Sequence, residues 1–289
     1  RGLGDVYKRQ SEYAQNYTTC FLQDGDAFVL RTEFLIQILE GIHKYLPNIK
    51  HVTTYARADS IARKSVSELR ELKAAGIEHL YCGMETGSDL ILRKINKGFD
   101  AATIIIGGTK AKEAGMVLSE FTLFGIGGKE LAEENAVETA KVLNVIKPDF
   151  IRVHATGIKL SSEMWNYVKN KELTLQSEEE IVSEQKIMLE LLADDMDCIY
   201  MNEHIVNLLL EVRGNIRTDK QNMLETINTY LQLPKQEQEL FNLGRRLNIM
   251  FFLADLNNRA KRKQTEEGLR KIKAQNPDLD LAFVCNYVR

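Results

Sequence analysis

A single carboxylate, Glu85, lies between Gly83 and Gly87 and follows a short apolar stretch that begins at Ile77. The pattern predicts a strand ending near Gly83, a turn, and a helix that begins at Ser88. In α/β proteins, ligands bind just past the carboxyl end of a strand and beside a helix N-terminus. A glutamate there can accept hydrogen bonds from ligand hydroxyls, and Gly83 and Gly87 would let a ligand approach the backbone closely. A plain turn explains a glutamate beside glycines about as well.

Two further groups of polar residues follow predicted strands. Asp24 and Asp26 flank Gly25 after an apolar stretch. Paired carboxylates of this kind could bind a hard cation such as Mg²⁺, but the same residues could equally form a turn. Arg57 follows the next predicted strand, where it could contact a ligand. It could equally form a surface ion pair, which adds little stability.

A glycine-rich loop, Gly125 to Gly128, and two histidines complete the candidate groups. A loop of this composition between a strand and a helix can cradle a phosphate. However, it has neither the G-x-x-x-x-G-K-[ST] pattern of a P-loop nor G-x-G-x-x-G spacing, so the nucleotide hypothesis has weak support. His154 and His204 are more simply interpreted as hydrogen-bonded structural residues than as ligands or bases.

Strand and helix patterns alternate five times, at intervals of about 30 residues, which is typical of βαβ units and a parallel sheet. The strands are predicted near residues 19–23, 50–55, 78–83, 116–124 and 149–155. Because such connections are right-handed, all strand ends should emerge on one face. We therefore expect Asp24, Arg57, Glu85 and Gly125 at one rim, with Lys97 at the N-terminal or inward side of the helix after Glu85.

From Ser177 onward the sequence changes to longer patterns of helical periodicity, without a recognisable catalytic motif. Helices are predicted in the ranges 183–193, 203–211, 219–231, 235–246 and 257–273. The fold class predicted from the whole pattern is α/β, with a helical C-terminal region.

The composition is that of an ordinary globular protein and excludes few functions. The chain has 289 residues, 44% hydrophobic content and a net charge of −3, so nothing in its bulk charge points to nucleic acid or a membrane. No apolar run approaches the ~20 residues of a membrane span, and no signal peptide is recognisable. The four cysteines, Cys20, Cys82, Cys198 and Cys285, are far apart, which is typical of reduced cytoplasmic thiols.

The first ten residues, Arg1 to Gln10, show no hydrophobic periodicity. Asp5 to Gln10 matches the translation of a transposon end used in sequencing adaptors, and we interpret the segment as non-native. The alternative is a genuine polar tail. We expect the native N-terminus to be missing.

Several motifs together resemble the radical S-adenosylmethionine (SAM) enzymes, in the branch that contains oxygen-independent coproporphyrinogen oxidase and the Elongator-type enzymes. The fourth strand and helix of that family resemble LKAAGI at 72–77, GMETGS at 83–88 and INKG at 95–98. The fifth strand and the adenine-side loop resemble FTLFGIGGKE at 121–130. The resemblance covers roughly Thr19 to Leu160, a little under half of the chain.

The resemblance implies a partial (β/α)6 TIM-like barrel, with its first βα unit missing, and a SAM site. Glu85 would lie in that site and Lys97 would face the methionyl carboxylate. The resemblance also implies SAM contacts from Asp24, Gly25, Asp26, Arg57, Gly83, Gly125 and Gly127. Two departures limit this transfer. The family's Gly-Gly-Glu motif is absent near Asp24. Residues 55–59, YARAD, resemble the ETRPD motif of Elongator-type enzymes, but Tyr55 stands in place of its Glu.

The cofactors implied by the family are SAM and a 4Fe-4S cluster. Three cysteines, usually spaced C-x-x-x-C-x-x-C, hold that cluster, and no three cysteines here have this spacing. Either the chain is a non-radical barrel, or its cluster-binding part has been cut off. We expect the latter, and hence a fragment that is inactive alone. The partners implied are an electron donor and a small-molecule or unknown substrate. We expect no membrane partner, and nothing in the sequence favours nucleic acid.

The predicted organisation is a non-native segment 1–10, a radical SAM core 11–165 and a helical region 166–289. Two other functions stay open from the residues alone. One is a (β/α) barrel lyase or hydrolase that uses Lys97 or Lys159 with Glu85 as acid–base groups. The other is a non-catalytic nucleotide-binding or scaffold module. Catalytic residues beyond SAM binding are not predicted.

Overall fold

A computed structural model of the chain describes residues 16–23, 25–275 and 281–288. Within these residues, seven strands form one sheet whose order follows the sequence. The strands are β1 (Thr19–Leu22), β2 (His51–Ala56), β3 (Ile77–Glu85), β4 (Val117–Phe124), β5 (Phe150–Ala155), β6 (Ile199–Met201) and β7 (Gly214–Asn215). The pairs β1–β2, β2–β3 and β5–β6 are parallel, and β6–β7 is antiparallel.

Helices connect the strands and continue beyond them. The α-helices are α1 (Thr32–Tyr45), α2 (Ala58–Arg63), α3 (Val66–Ala74), α4 (Asp89–Lys94), α5 (Ala101–Glu113), α6 (Ala132–Ile146), α7 (Met164–Lys169), α8 (Glu178–Leu191), α9 (Ile216–Leu231), α10 (Lys235–Arg246), α11 (Arg259–Gln275) and α12 (Leu281–Val288). Short 3-10 helices cover Ala27–Val29, Lys129–Leu131 and Leu253–Asn257.

The predicted α/β class is confirmed, and all five predicted strands are present in sequence order. Alternating burial in β2, β3 and β5 explains why their pattern could be recognised in the sequence. In β2, Val52, Thr54 and Ala56 are buried while the residues between them are partly or fully exposed. A strand with one face packed on helices gives this period of two.

The C-terminal region departs from the helical prediction in two places. β6 and β7 are strands, and both are too short to give a periodic pattern. The predicted helix at 203–211 is absent because polar side chains take its backbone groups instead. Asn202 Nδ2 donates to the Leu209 carbonyl, and the Arg245 guanidinium donates to the carbonyls of Ile205, Asn207 and Leu208.

The chain divides into two compact units. The first contains the described part of Arg1–Met84 together with Phe99–Phe121, and the second contains Glu85–Gly98 with the described part of Thr122–Arg289. In the first unit, α2 packs on α5. In the second, α6 packs on α8, and α8 packs on α9.

Each unit has its own apolar core. Leu39, Val52, Leu69 and Leu80 are fully buried in the first unit, and Leu143, Met188, Tyr200 and Phe241 are fully buried in the second. The division predicted from the sequence, 11–165 and 166–289, stays a prediction, and residues 1–10 lie outside the described residues. Among the described helices, none combines the length and the apolar character that crossing a membrane requires.

Candidate functional site

Glu85, the last residue of β3, has a φ of 63°, in the left-handed region that favours glycine. Its Oε1 accepts a hydrogen bond from Lys97 Nζ at 2.7 Å. The side chains of Glu85 and Lys97 are 23% and 16% exposed, so the pair is enclosed but reachable from solvent. A strained, charged residue at a strand end is the kind of outlier that functional sites contain.

The local sequence after α4 places Lys97. The helix ends at Lys94, and Asn96 adopts a left-handed φ of 53°. The Lys97 N–H then donates to the Leu92 carbonyl, which is the closing bond of a Schellman motif. The N-terminal placement that was one of the two predicted for Lys97 is therefore wrong. Lys97 follows the helix C-terminus, and the chain reversal at Asn96 precedes its contact with Glu85.

Glycine is required in the loop after β4, as Gly125 and Gly127 show. Gly125 has a φ of +82°. A Cβ on Gly127 would lie 2.9 Å from side-chain atoms of both Ile91 and Leu131. The Gly125 N–H donates to Glu184 Oε2 at 3.0 Å, so the loop is tied to α8 from its first residue.

Gly87 has a different role from the one predicted. A Cβ there would lie 2.3 Å from the Glu138 carbonyl oxygen, so close packing on α6 accounts for the glycine. Its N–H donates to Thr139 Oγ1 at 2.9 Å. The prediction that a ligand approaches the backbone at Gly87 is therefore wrong. Gly83 lies within β3 and is half-buried.

In the first unit, Asp26 connects the segments that follow β1 and β2. Its carboxylate accepts hydrogen bonds from the Arg57 N–H and from the Ser60 hydroxyl. The Arg57 guanidinium donates to Asp59 and lies over the Phe99 ring, 5.1 Å from its centroid. Gly25 is exposed, with a φ of +79° and open space around it. Asp24 lies outside the described residues.

The predicted site residues therefore fall into two local groups. Glu85, Lys97, Gly125 and Gly127 belong to the second unit, while Gly25, Asp26, Arg57 and Gly83 belong to the first. Arg57 and Gly125 directly follow β2 and β4, and Glu85 ends β3. That they share one rim stays a prediction.

His154 on β5 lies beside His204, with ring centroids 4.1 Å apart. Burial, with smaller contributions from nearby His204 and Arg152, lowers the pKa of His154 to about 4. Imidazole is therefore neutral at His154 at physiological pH. Lys159, considered above as an acid–base group, is exposed.

The cysteines do not fit a 4Fe-4S cluster. None of the four forms a disulfide, and Cys20 and Cys82 lie on β1 and β3, Cys198 just before β6 and Cys285 on α12. Within the described part of the chain, no three His, Cys, Asp or Glu side chains could hold a metal together. The magnesium hypothesis for Asp24 and Asp26 has no support from the residues described.

SAM is a better match to the residues present. Its methionyl end carries one carboxylate and one ammonium, opposite in sign to the Lys97 ammonium and the Glu85 carboxylate, which contact each other at 2.7 Å. Both charges are partly exposed, so a zwitterion can reach them without first unpacking the core. Gly125 and Gly127, also in the second unit, have no side chains that would keep a ligand away from their backbone.

Sequence reasoning missed Glu184, Asn135 and Thr139, which hold the two loops that carry the site. A signal for Glu184 was present, since it lies at helical spacing between the apolar residues Ile181 and Met188. A carboxylate on the apolar stripe of an amphipathic helix is expected to be buried with partners. Asn135 and Thr139 gave no such signal.

The fold and this site define a class: an α/β protein with a largely parallel sheet and a charged pair at the carboxyl end of β3. No family model matches the chain. It is 23% identical over 173 residues to the heme chaperone HemW of Bacillus subtilis (strain 168), a match that covers 59% of this chain and 45% of that protein. HemW is a radical SAM superfamily member, and the resemblance predicted from the motifs is confirmed.

Solved structures with a similar fold were also found. Elp3 of the archaeon Methanocaldococcus infernus, with an N-terminal deletion, aligns at 15% identity and a TM-score of 0.48, over 64% of this chain and 48% of that chain. Coproporphyrinogen III oxidase (HemN) from Escherichia coli, a radical SAM enzyme, aligns at 14% identity and a TM-score of 0.48, over 64% of this chain and 44% of that chain. The chain thus spans about half the length of the proteins it matches.

Proposed function

We propose that this chain carries the SAM-binding part of a radical SAM enzyme, which reductively cleaves SAM to a 5′-deoxyadenosyl radical acting on an unidentified substrate. The observation that carries the proposal is the Glu85–Lys97 pair, held at 2.7 Å at the carboxyl end of β3. Lys97 would bind the methionyl carboxylate, and Glu85 would accept hydrogen bonds from the ammonium or hydroxyl groups. Charge-assisted hydrogen bonds of this kind are the strong ones.

The proposal does not assign cluster binding to the cysteines of this chain. In the superfamily, a four-iron cluster held by three cysteines supplies the electron that cleaves SAM. The four cysteines of this chain lie on separate elements and do not offer such a ligand set. We expect the chain to bind SAM and, with its own cysteines alone, to be catalytically inactive.

The partners and location are part of the same proposal. Reductive cleavage of SAM requires an electron donor, and a radical acting on a substrate requires that a small molecule or another substrate be bound nearby. Cysteines without disulfides are consistent with the reducing cytoplasm. The slight net negative charge, −3, gives no support to nucleic-acid binding.

SAM binding to the purified chain, measured by equilibrium dialysis, tests the proposal. We expect Lys97→Met and Glu85→Gln each to weaken binding about tenfold or more, corresponding to ~1.4 kcal/mol for the loss of a charge-assisted contact. Lys141→Met is the matched control. Lys141 forms an exposed pair with Glu138 on α6, so its substitution should leave SAM affinity unchanged.

A chain that fails to bind SAM at millimolar concentration would refute the proposal. Equal affinity for ATP and SAM would favour the nucleotide-binding alternative instead. Unchanged SAM affinity in Lys97→Met would show that the Glu85–Lys97 pair is structural and that the site has been misplaced.

A further inference from the structure

Glu184 on α8 is 1% exposed and accepts hydrogen bonds from three separate segments of the second unit. The donors are Gly125 N at 3.0 Å, Asn135 Nδ2 at 2.5 Å and Gln176 Nε2 at 2.8 Å. All three groups donate, so the arrangement is complementary to a carboxylate that carries no proton. The three hydrogen bonds compensate for the cost of burying the carboxylate and connect the three segments to α8.

Asn135 extends this network to the other loop. Besides Glu184, its amide donates to the Leu123 carbonyl at 2.9 Å, and its Oδ1 accepts from Thr139 Oγ1 at 3.4 Å. Thr139 Oγ1 in turn accepts from the Gly87 N–H at 2.9 Å. One chain of buried hydrogen bonds therefore runs from Glu184 to both Gly125 and Gly87.

These two glycines begin the loops that carry the candidate site. Gly87 lies two residues after Glu85, and Gly125 is the first residue after β4. The packing around Gly87 leaves little freedom, since even a Cβ would collide with the backbone of Glu138. A change at Glu184 is therefore transmitted to both loops through contacts that cannot easily be replaced.

We propose that Glu184 is a positioning residue for the SAM site. In its ionised form it fixes the Gly125 loop directly and the Gly87 loop through Asn135 and Thr139. Protonation would leave its three donors with fewer acceptor positions and release the loops. This inference rests on the proposed SAM binding, but the coupling between the loops can be measured without it.

The environment of Glu184 makes this protonation accessible. Burial raises its pKa to about 7, against the opposing effect of its hydrogen bonds from Gln176, Asn135 and Gly125. Charged or titratable groups on the elements packed around it are engaged elsewhere, namely Lys141 with Glu138, Lys186 with Glu190, Lys220 with Asp194, Glu134 with Ser88 and Tyr200 with Gln185.

Amide hydrogen exchange of the whole chain tests the coupling, after correction for the intrinsic effect of pH on exchange. In the wild type, we expect faster exchange at both Gly87 and Gly125 at pH 6 than at pH 8. SAM affinity should fall about tenfold over the same range, because the ionised fraction of a group with a pKa near 7 falls by that factor. Glu184→Gln should show fast exchange and weak SAM binding at both pH values.

Two further variants separate positioning from simple structural damage. Glu184→Asp keeps the charge and should retain the pH dependence, even if its affinity is lower. Thr139→Val removes only the contact to Gly87, so exchange should rise at Gly87 and stay slow at Gly125. These variants and the wild-type pH series remain informative if Glu184→Gln does not fold.

Unchanged exchange at Gly87 and Gly125 in a folded Glu184→Gln variant would overturn the inference. So would a SAM affinity that depends on pH equally in wild type and Glu184→Gln. Failure of the wild type to bind SAM at either pH would refute the proposed function, whereas the exchange data would still decide whether Glu184 couples the two loops.

Discussion

Glu85 combines two features that rarely coincide in a residue kept only for stability. Its backbone is in the left-handed region at φ 63°, which costs a non-glycine residue on the order of 1 kcal/mol or more. Its side chain contacts Lys97 in a partly exposed position, where an ion pair recovers little. Strain and ion pair are of similar size, so stability alone gives little reason for a glutamate at this position.

Replacing Glu85 with glycine should therefore separate stability from binding. We expect Glu85→Gly to unfold in urea with a free energy within about 1 kcal/mol of the wild type, since relief of strain offsets the lost ion pair. SAM binding by the same variant should be lost. Both quantities can be measured on one preparation, by urea titration and equilibrium dialysis.

Lys147→Gly is the matched control for this substitution. Lys147 is also left-handed, at φ 49°, but it caps the C-terminus of α6 and pairs only with exposed Asp195. Its replacement should raise stability by up to ~1 kcal/mol without affecting SAM. A loss of several kcal/mol in Glu85→Gly would contradict the prediction, because the carboxylate would then be structural.

His154 gives a second prediction at the residue scale. Its pKa of about 4 lies below the ordinary value of about 6.5, so the unfolded chain binds the proton more tightly. Its contribution to stability is full above pH 6.5 and is lost as the pH falls towards 4. The difference in unfolding free energy between wild type and His154→Gln should therefore shrink over that range.

The NMR signal of the His154 ring provides the direct measurement. We expect no titration of this ring between pH 8 and pH 5. His51→Gln serves as the control variant, since His51 is an exposed residue of β2. The ring signal that disappears in this variant belongs to His51 and can be excluded from the assignment of His154. A His154 midpoint near pH 6.5 would show that the ring is not held neutral by burial.

At the scale of elements, sequence pattern was sufficient where one face of an element is buried along its whole length. Burial alternates along most of β2, β3 and β5, which have six to nine residues. β1 has four residues and no alternation, and it was predicted from its short apolar run. β6 and β7 have three and two residues, too few for a period to be recognised. β6 pairs with β5 and β7 pairs with β6, and local sequence does not encode these contacts.

The same distinction applies to the candidate site. Motif resemblance identified Glu85, Lys97 and Gly125 but not their partners, because Glu184 lies 59 residues after Gly125 and contacts it only through the packing of α8. The helix predicted at 203–211 was wrong for the same reason, because contacts with distant residues decide the structure of this segment. Its backbone carbonyls are satisfied by Arg245, a residue about 40 positions away, rather than within the segment.

The contact between α2 and α5 gives a prediction at this scale. A Cβ on Gly107 of α5 would lie 2.6 Å from the Ala58 carbonyl oxygen on α2. Gly107→Ala should therefore destabilise the chain by about 1–3 kcal/mol, the usual cost of overpacking. Gly41 of α1 is also helical but has no heavy atom within 4 Å of an added Cβ, so Gly41→Ala should stabilise by up to ~1 kcal/mol.

Urea unfolding of the two variants, followed by circular dichroism, measures both effects. Opposite shifts of the midpoint are expected, because the same substitution meets backbone at one glycine and open space at the other. Equal shifts in the same direction would mean that helix propensity, rather than the approach of α2 to α5, controls the stability of these positions.

At the scale of the whole molecule, the division into units limits what the cysteines can do. The first unit contains Cys20 and Cys82, and the second contains Cys198 and Cys285, so neither unit alone holds the three thiolates of a 4Fe-4S cluster. Cys82, Cys198 and Cys285 are at most 3% exposed. Burial also raises the pKa of the half-buried Cys20, which disfavours the thiolate needed for metal binding.

Anaerobic reconstitution of the chain with iron and sulfide should therefore fail to produce a stable cluster. We expect well below four irons per chain, no cluster absorbance, and no 5′-deoxyadenosine from SAM in the presence of a reductant. SAM binding should persist in the same samples, because Glu85 and Lys97 do not depend on the cysteines. The positive control is a radical SAM enzyme with an intact C-x-x-x-C-x-x-C motif, reconstituted in parallel.

A Cys20→Ser variant distinguishes adventitious iron from a true cluster. Cys20 is the most accessible of the four thiols, so any loosely bound iron should be lost with it. If the wild-type chain instead held about four irons, kept them after gel filtration and cleaved SAM, three of its cysteines would have to converge. That result would contradict both the cysteine assignment and the separation of SAM binding from cluster binding proposed for this chain.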